Sequence, residues 1–268
     1  MKPFNVVNGG ATLKVELAGA GPGVVFLHAG VADRRMWREQ VSRFESSYTA
    51  VAYDRRGFGE TVCQDETFSN GEDLASVLDY LELETPVLVG CSQGGRVAID
   101  FTLAQPERVS ALILVSPAVS GAPTPTSLPA EIQGILEELE RAEEVDDLER
   151  VNAIEAHLWL DGPASPEGRV SGQVRDLFLD MNGVALRAPE LTLEQEPPSA
   201  FERLAEITVP TLLLWGDLDF SHVQARCRHL SETLPNVQAE VMIGTAHLPN
   251  LEQPENFNDL VLGFLEQL

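Results

Sequence analysis

Short apolar runs recur along this chain, and stretches with helical spacing separate most of them. "GVVFLH" (23–28), "YTAVAYD" (48–54), "PVLVG" (86–90), "VSALILVS" (109–116), "VPTLLLWGD" (209–217) and "VQAEVMI" (237–243) are the runs. The continuous apolar run of "GVVFLH" fits a buried parallel strand. "MWREQVSRF" (36–44) reads as a helix, and so does "GEDLASVLDYLEL" (71–83), whose Leu74, Val77, Leu78 and Leu81 form one stripe. Strand alternating with helix requires right-handed crossovers and a parallel sheet. "ATLKVELAG" (11–19) instead alternates apolar and polar, and reads as an exposed or edge strand.

The rhythm breaks at "PAVSGAPTPTSLPA" (117–130), a Pro-, Ser- and Thr-rich linker. From Glu131 to Glu196 there are no strand patterns, only helix-like segments with acidic outer faces. In one of them Leu148, Val151, Ile154 and Leu158 share a side, and "DGP" from Asp161 ends it. His157 and Trp159 lie there, expected to pack against the rest of the protein, with facing a pocket as the alternative. The strand rhythm then resumes and closes with a helix over "PENFNDLVLGFLEQL" (254–268). A chain of 268 residues with this pattern is one α/β domain interrupted by a helical insertion.

Formal charge is −24, from 18 basic and 42 acidic residues. That argues against nucleic acid and against anionic membrane surfaces, which are bound through Lys and Arg. Cys63, Cys91 and Cys227 are too few and too scattered for a disulfide framework or a zinc site. "MKPFNVVNGG" has no apolar core of a signal peptide, and no run reaches about 18 apolar residues, so the default expectation is cytoplasmic. No His-Glu-x-x-His or Cys/His cluster points to a metal.

Gly90-Cys91-Ser92-Gln93-Gly94 is a G-x-S-x-G pattern placed between a strand and a helix, the context of a nucleophile elbow. Otherwise it is only a tight turn. A serine hydroxyl needs a base, and the base an orienting acid. Of His28, His157, His222, His229 and His247, the last lies in a loop just past the final strand, at the edge where open α/β sheets build sites. "LLLWGDLDF" supplies two carboxylates at an earlier strand end, Asp217 and Asp219. Backbone N–H groups of Gln93, after the nucleophile, and of Gly30, in the loop after "VVFLH", would serve as an oxyanion hole. His28 is expected to shape that loop, and Cys91 to be small and buried.

With "FLHAG", "YDRRGFGET", "GCSQGG", "LLLWGDLD" and "GTAHLPNLEQPENF", the chain resembles the α/β-hydrolase superfamily, in its esterase- and lipase-like group with a lid. Ala29 stands where that family usually has glycine, and Cys91 where histidine is frequent. The resemblance implies an α/β-hydrolase fold, α/β class, with a mostly parallel eight-stranded sheet and a helical cap inserted after the sixth strand. Residues 1–120 and 201–268 would form the core domain and 121–200 the cap. It also places the acid three residues after Gly216, at Asp219, leaving Asp217 to hold the turn.

The expected activity is hydrolysis of a small neutral carboxylic ester or lactone through an acyl-enzyme on Ser92, with His247 and Asp219 completing the triad. No cofactor is needed, and the expected partner is a small-molecule substrate, with homo-oligomer formation left open. The alternatives on the same triad are a carbon–carbon bond hydrolase and a cofactor-free haloperoxidase or perhydrolase. A small-molecule receptor with a slow triad is the alternative from another class.

Overall fold

Every apolar run becomes a strand, and two further strands precede them, the alternating segment 11–18 and one the sequence did not show. The computed structural model describes residues 2–125 and 128–268; residues 126 and 127 of the Pro-rich linker lie outside the described residues. The strands are β1 (Lys2–Asn8), β2 (Ala11–Ala18), β3 (Gly23–Leu27), β4 (Thr49–Tyr53), β5 (Val87–Cys91), β6 (Ala111–Val115), β7 (Thr211–Gly216) and β8 (Val237–Met242). They form one eight-stranded sheet in the order β1-β2-β4-β3-β5-β6-β7-β8. All pairs from β4 to β8 are parallel. β2 is antiparallel to both of its neighbours, β1 and β4. The reading of 11–19 as an edge strand is therefore corrected. A hairpin through Gly9 and Gly10 folds β1 onto β2 and makes β1 the edge, so β2 alternates because only one of its faces is fully buried.

Around the sheet lie α1 (Arg38–Phe44), α2 (Asn70–Tyr80), α3 (Gln93–Ala104), α4 (Ala130–Glu144), α5 (Leu148–Glu155), α6 (Gln173–Arg187), α7 (Ser221–Thr233), α8 (Pro249–Glu252) and α9 (Pro254–Leu265). The pleat sends alternate residues to opposite faces. Val25 and Leu27 of β3 pack in one core with Leu74 and Leu78 of α2, Phe101 of α3 and Leu230 of α7. Val24 and Phe26 pack in the other with Phe44 of α1 and Phe257 of α9. Every residue of β5, β6 and β7 is buried, which explains their unbroken apolar runs.

Helices α4, α5 and α6 occupy the chain between β6 and β7. α4 buries only Ile132 and Ala142 along its fifteen residues, leaving its acidic side chains to solvent. The single helix expected through Leu160 is two elements. α5 passes into a wider π-helical turn at Ala156–Asp161, which ends at Gly162 with φ 95°. Asp161 is fully buried and holds the following loop. Its carboxylate accepts the Gly168 and Val170 N–H groups, both at 2.8 Å, and Arg175 Nη1 at 2.7 Å. Among the described residues no helix is long and apolar enough to cross a membrane.

Candidate active site

β5 delivers its chain to Ser92 and α3 departs from Gln93, so the bend between them must be tight. Ser92 takes φ 51° and ψ −114°, a left-handed conformation that costs an L-residue about 1–3 kcal/mol. The surroundings hold it there. Its N–H donates to the Val115 carbonyl at 2.9 Å, and its carbonyl accepts from the Arg96 and Ala118 N–H groups at 3.0 and 2.9 Å. Gly94 has no substitute, because a Cβ there would collide with the Leu27 carbonyl. α3 therefore starts directly against the end of β3. Its first N–H groups and positive dipole end face the site.

The loop after β3 lies beside this bend. Among the described residues neither the Gly30 nor the Gln93 backbone N–H donates a hydrogen bond within the protein. These are the two donors expected at an oxyanion hole. A Cβ on Gly30 would lie 2.6 Å from Gln93 Nε2, so the Gln93 side chain rides directly over it. Ala29 is buried and has none of the positive φ values found among the described non-glycine residues, so the loop carries it without backbone strain. His28 Nδ1 lies 2.7 Å from the Ala29 carbonyl oxygen, and its Nε2 accepts the Arg55 N–H at 3.0 Å. Burial and the nearby Arg55 charge push its imidazole well below the usual histidine range. His28 thus braces the loop as a neutral ring.

The loops after β7 and β8 meet at the imidazole of His247. Its Nδ1 lies 2.7 Å from Asp219 Oδ2, and both residues are buried. The other Asp219 oxygen accepts the Phe220 N–H at 2.7 Å. Asp217 points elsewhere and accepts the Gly244 N–H at 2.6 Å, tying the two loops together. Glu252 braces the histidine loop from α8 by accepting the Ala246 N–H at 2.7 Å and Arg169 Nη2 at 2.5 Å. Burial pushes the Glu252 carboxyl up to about 7. The Ser92 hydroxyl makes no hydrogen bond to His247 among the described residues; such serine–histidine bonds are commonly long before substrate binds and tighten with it. Cys91 is fully buried, and burial raises its thiol far above the usual range, which leaves it unreactive.

Trp159 packs against both cores, as expected, and also flanks His247. Plain core packing describes its neighbours Leu158 and Leu160, both buried. The Trp159 ring also lies 4.7 Å from the His247 ring and 4.8 Å from Phe220, and its carbonyl accepts the His247 N–H at 3.3 Å. The π-helical turn alters the facing of this segment, which a 3.6-residue period does not reveal. His157 turns to the Ser165 carbonyl, at 2.8 Å.

Residues 24–260 match the alpha/beta hydrolase family. A relative from Klebsiella pneumoniae, 2-hydroxy-6-oxononadienedioate/2-hydroxy-6-oxononatrienedioate hydrolase, is 30% identical, over 98% of this chain and 94% of its own. The 3-oxoadipate enol-lactonase 1 of Acinetobacter baylyi is 29% identical, over 97% and 95%. Among solved structures, carboxylesterase CesB (YbfK) from Bacillus subtilis superposes with a TM-score of 0.77 at 25% identity, covering 98% of this chain and 91% of that one. By sequence match and by fold, the chain belongs to the alpha/beta hydrolase family.

Proposed function

We propose that the chain hydrolyses a small carboxylic ester or lactone through an acyl-enzyme formed on Ser92. The observation that carries this reading is the buried Asp219–His247 pair, joined at 2.7 Å, on the same sheet edge as a strained serine flanked by two free N–H groups. His247 Nε2 takes the Ser92 proton as Oγ attacks the carbonyl carbon, and the N–H groups of Gln93 and Gly30 receive the oxyanion. As the tetrahedral intermediate collapses, the imidazolium protonates the leaving alcohol, or the ring oxygen of a lactone. Water then repeats the sequence on the acyl-serine and releases the acid. Asp219 holds the imidazole with its Nδ1 proton inward and stabilises the imidazolium.

In this reading residues 121–200 act as a cap over the strand ends, with Trp159 walling the base. No cofactor takes part in any step. A second reading, carbon–carbon hydrolysis of a ketone acid on the same triad, draws on the Klebsiella relative. A panel of p-nitrophenyl esters, lactones and dienoic ketone acids separates the two. Burst release of p-nitrophenol supports the ester reading. Turnover of ketone acids without esters overturns it.

A further inference from the structure

Four buried or half-buried arginines stand near the strand ends, and three are paired with carboxylates. Arg34 meets Asp54, Glu16 and Glu60; Arg35 meets Asp33 and Asp180; Arg56 meets Asp73 and Glu66. Arg55 is only 3% exposed and has no carboxylate within 4.0 Å among the described residues. In a chain with 42 acidic residues that omission is specific.

The partners Arg55 does have are weak. Nη1 and Nη2 both point at one oxygen, Gln93 Oε1, each at 3.3 Å, and Nη2 also reaches the His28 carbonyl at 3.3 Å. All three lie beyond the usual N–H···O range. Nε has no acceptor among the described residues, which is also true of Arg34 Nε. The guanidinium carbon sits 4.6 Å above the Phe58 ring. Burial pushes the group down to about 10, with the Arg96 charge adding to the fall and Glu194 opposing it only in part.

A cavity of about 250 Å³ opens beside it, lined by Arg55, Gln93, Phe58, Leu191, Glu190 and Glu194 among others. Glu194 is already held by Arg96 at 3.1 Å and by Asn70 at 2.7 Å, and Glu190 lies at the exposed rim. Gln93 thus bridges the cavity and the bend, its side chain in one and its backbone N–H at the other.

We propose that Arg55 is the receptor for a carboxylate carried by the substrate, which replaces the Gln93 amide oxygen on the two Nη groups. One amide oxygen shared by both tines of the fork is a poor match, and a carboxylate offers two oxygens at the spacing a guanidinium prefers. The Gln93 side chain is exposed and free to swing aside. The inference rests on the ester or lactone reading and deepens it: the substrate is a small ester or lactone bearing a free carboxylate. It replaces the neutral substrate suggested earlier. The overall charge of −24 repels an anion at long range, but inside a desolvated cavity the local guanidinium decides.

The test compares p-nitrophenyl hemiglutarate with its methyl ester at fixed ionic strength, in wild type, R55M and R55K. The ratio of kcat/KM, anionic over neutral, is expected to fall about ten- to hundredfold in R55M and to recover in part in R55K. Loss of both substrates in equal proportion overturns the proposal and leaves Arg55 as a brace of the oxyanion loop. Glutarate is the second probe, read by thermal shift against matched chloride. It should raise the melting temperature of wild type and fail to do so in R55M, a readout that needs no turnover. If R55M does not fold, R55K and wild type decide: no glutarate stabilisation of wild type, or equal ratios in the two proteins, overturns the proposal. Absence of ester turnover with intact glutarate binding would sink the hydrolase reading while sustaining the Arg55 site.

Discussion

The strand ends and the helical segment between β6 and β7 are built on opposite terms. β5, β6 and β7 are buried along their whole length, and the loops leaving them carry Ser92, Asp219 and the ties to His247. α4 buries two residues in fifteen and shows solvent an acidic face. Ser92 and Asp219 come from strands buried along their whole length, whereas His247 follows the largely exposed β8 and is held by ties from those loops. The helical segment instead reaches the site through Trp159, whose ring and carbonyl meet His247, and through Arg169, which pairs with Glu252. This division implies that chemistry resides in the strand-end loops and that the helices tune it.

Substitutions test that division by the size of their effects. Ser92→Ala should lower kcat by about five to six powers of ten with the circular dichroism spectrum unchanged, since it removes one oxygen at a half-buried turn. Retention of a tenth of the activity would end the acyl-enzyme account. Asp219→Asn should cost about three to four powers of ten, because the amide favours the wrong imidazole tautomer. Asp217→Asn is its control: its carboxylate holds the Gly244 N–H, so kcat should change by less than about threefold while the melting temperature falls. If the two variants exchange places, the acid is misassigned.

Trp159→Ala should lower kcat by only about tenfold, through a looser His247, which steady-state kinetics on one neutral ester will show. An effect as large as that of Asp219→Asn would erase the contrast between the two regions. The smallest expected effect is on stability. Glu252 titrates at about 7 in the fold against an ordinary carboxyl value of 4.5. The folded protein therefore binds this proton more tightly than the unfolded chain. That stabilisation is complete below pH ~4.5 and is lost as pH rises through ~7. Glu252→Gln should flatten the fall in unfolding free energy, read from urea titrations, across this window by an amount on the order of 1–3 kcal/mol. Identical slopes for the variant and wild type would show that Glu252 does not titrate there.

Much of this was legible in the chain because buried parallel strands announce themselves as unbroken apolar runs. β1 was not, since "KPFNVVN" is a sheet edge with exposed residues such as Val7. The Gly9-Gly10 pair is a hairpin signal that marks it. Ser92, Gln93 and His247 could be read from position at strand ends, but Asp219 and Asp217 have the same chemistry two residues apart, and only the resemblance to a family separated them. The placement of Trp159 against His247 and the surroundings of Arg55 were not legible, for a physical reason. One depends on a π-helical turn, and the other is informative only because its neighbours' carboxylates are absent, which is a property of the folded neighbourhood.

The central claim is that Ser92 is the nucleophile. A fluorophosphonate probe followed by peptide mapping tests it most directly. The account requires stoichiometric labelling on the peptide containing Ser92, blocked by prior incubation with a turned-over ester and absent in Ser92→Ala. Labelling at another residue, or ester hydrolysis by a wild-type protein that takes no label, contradicts it.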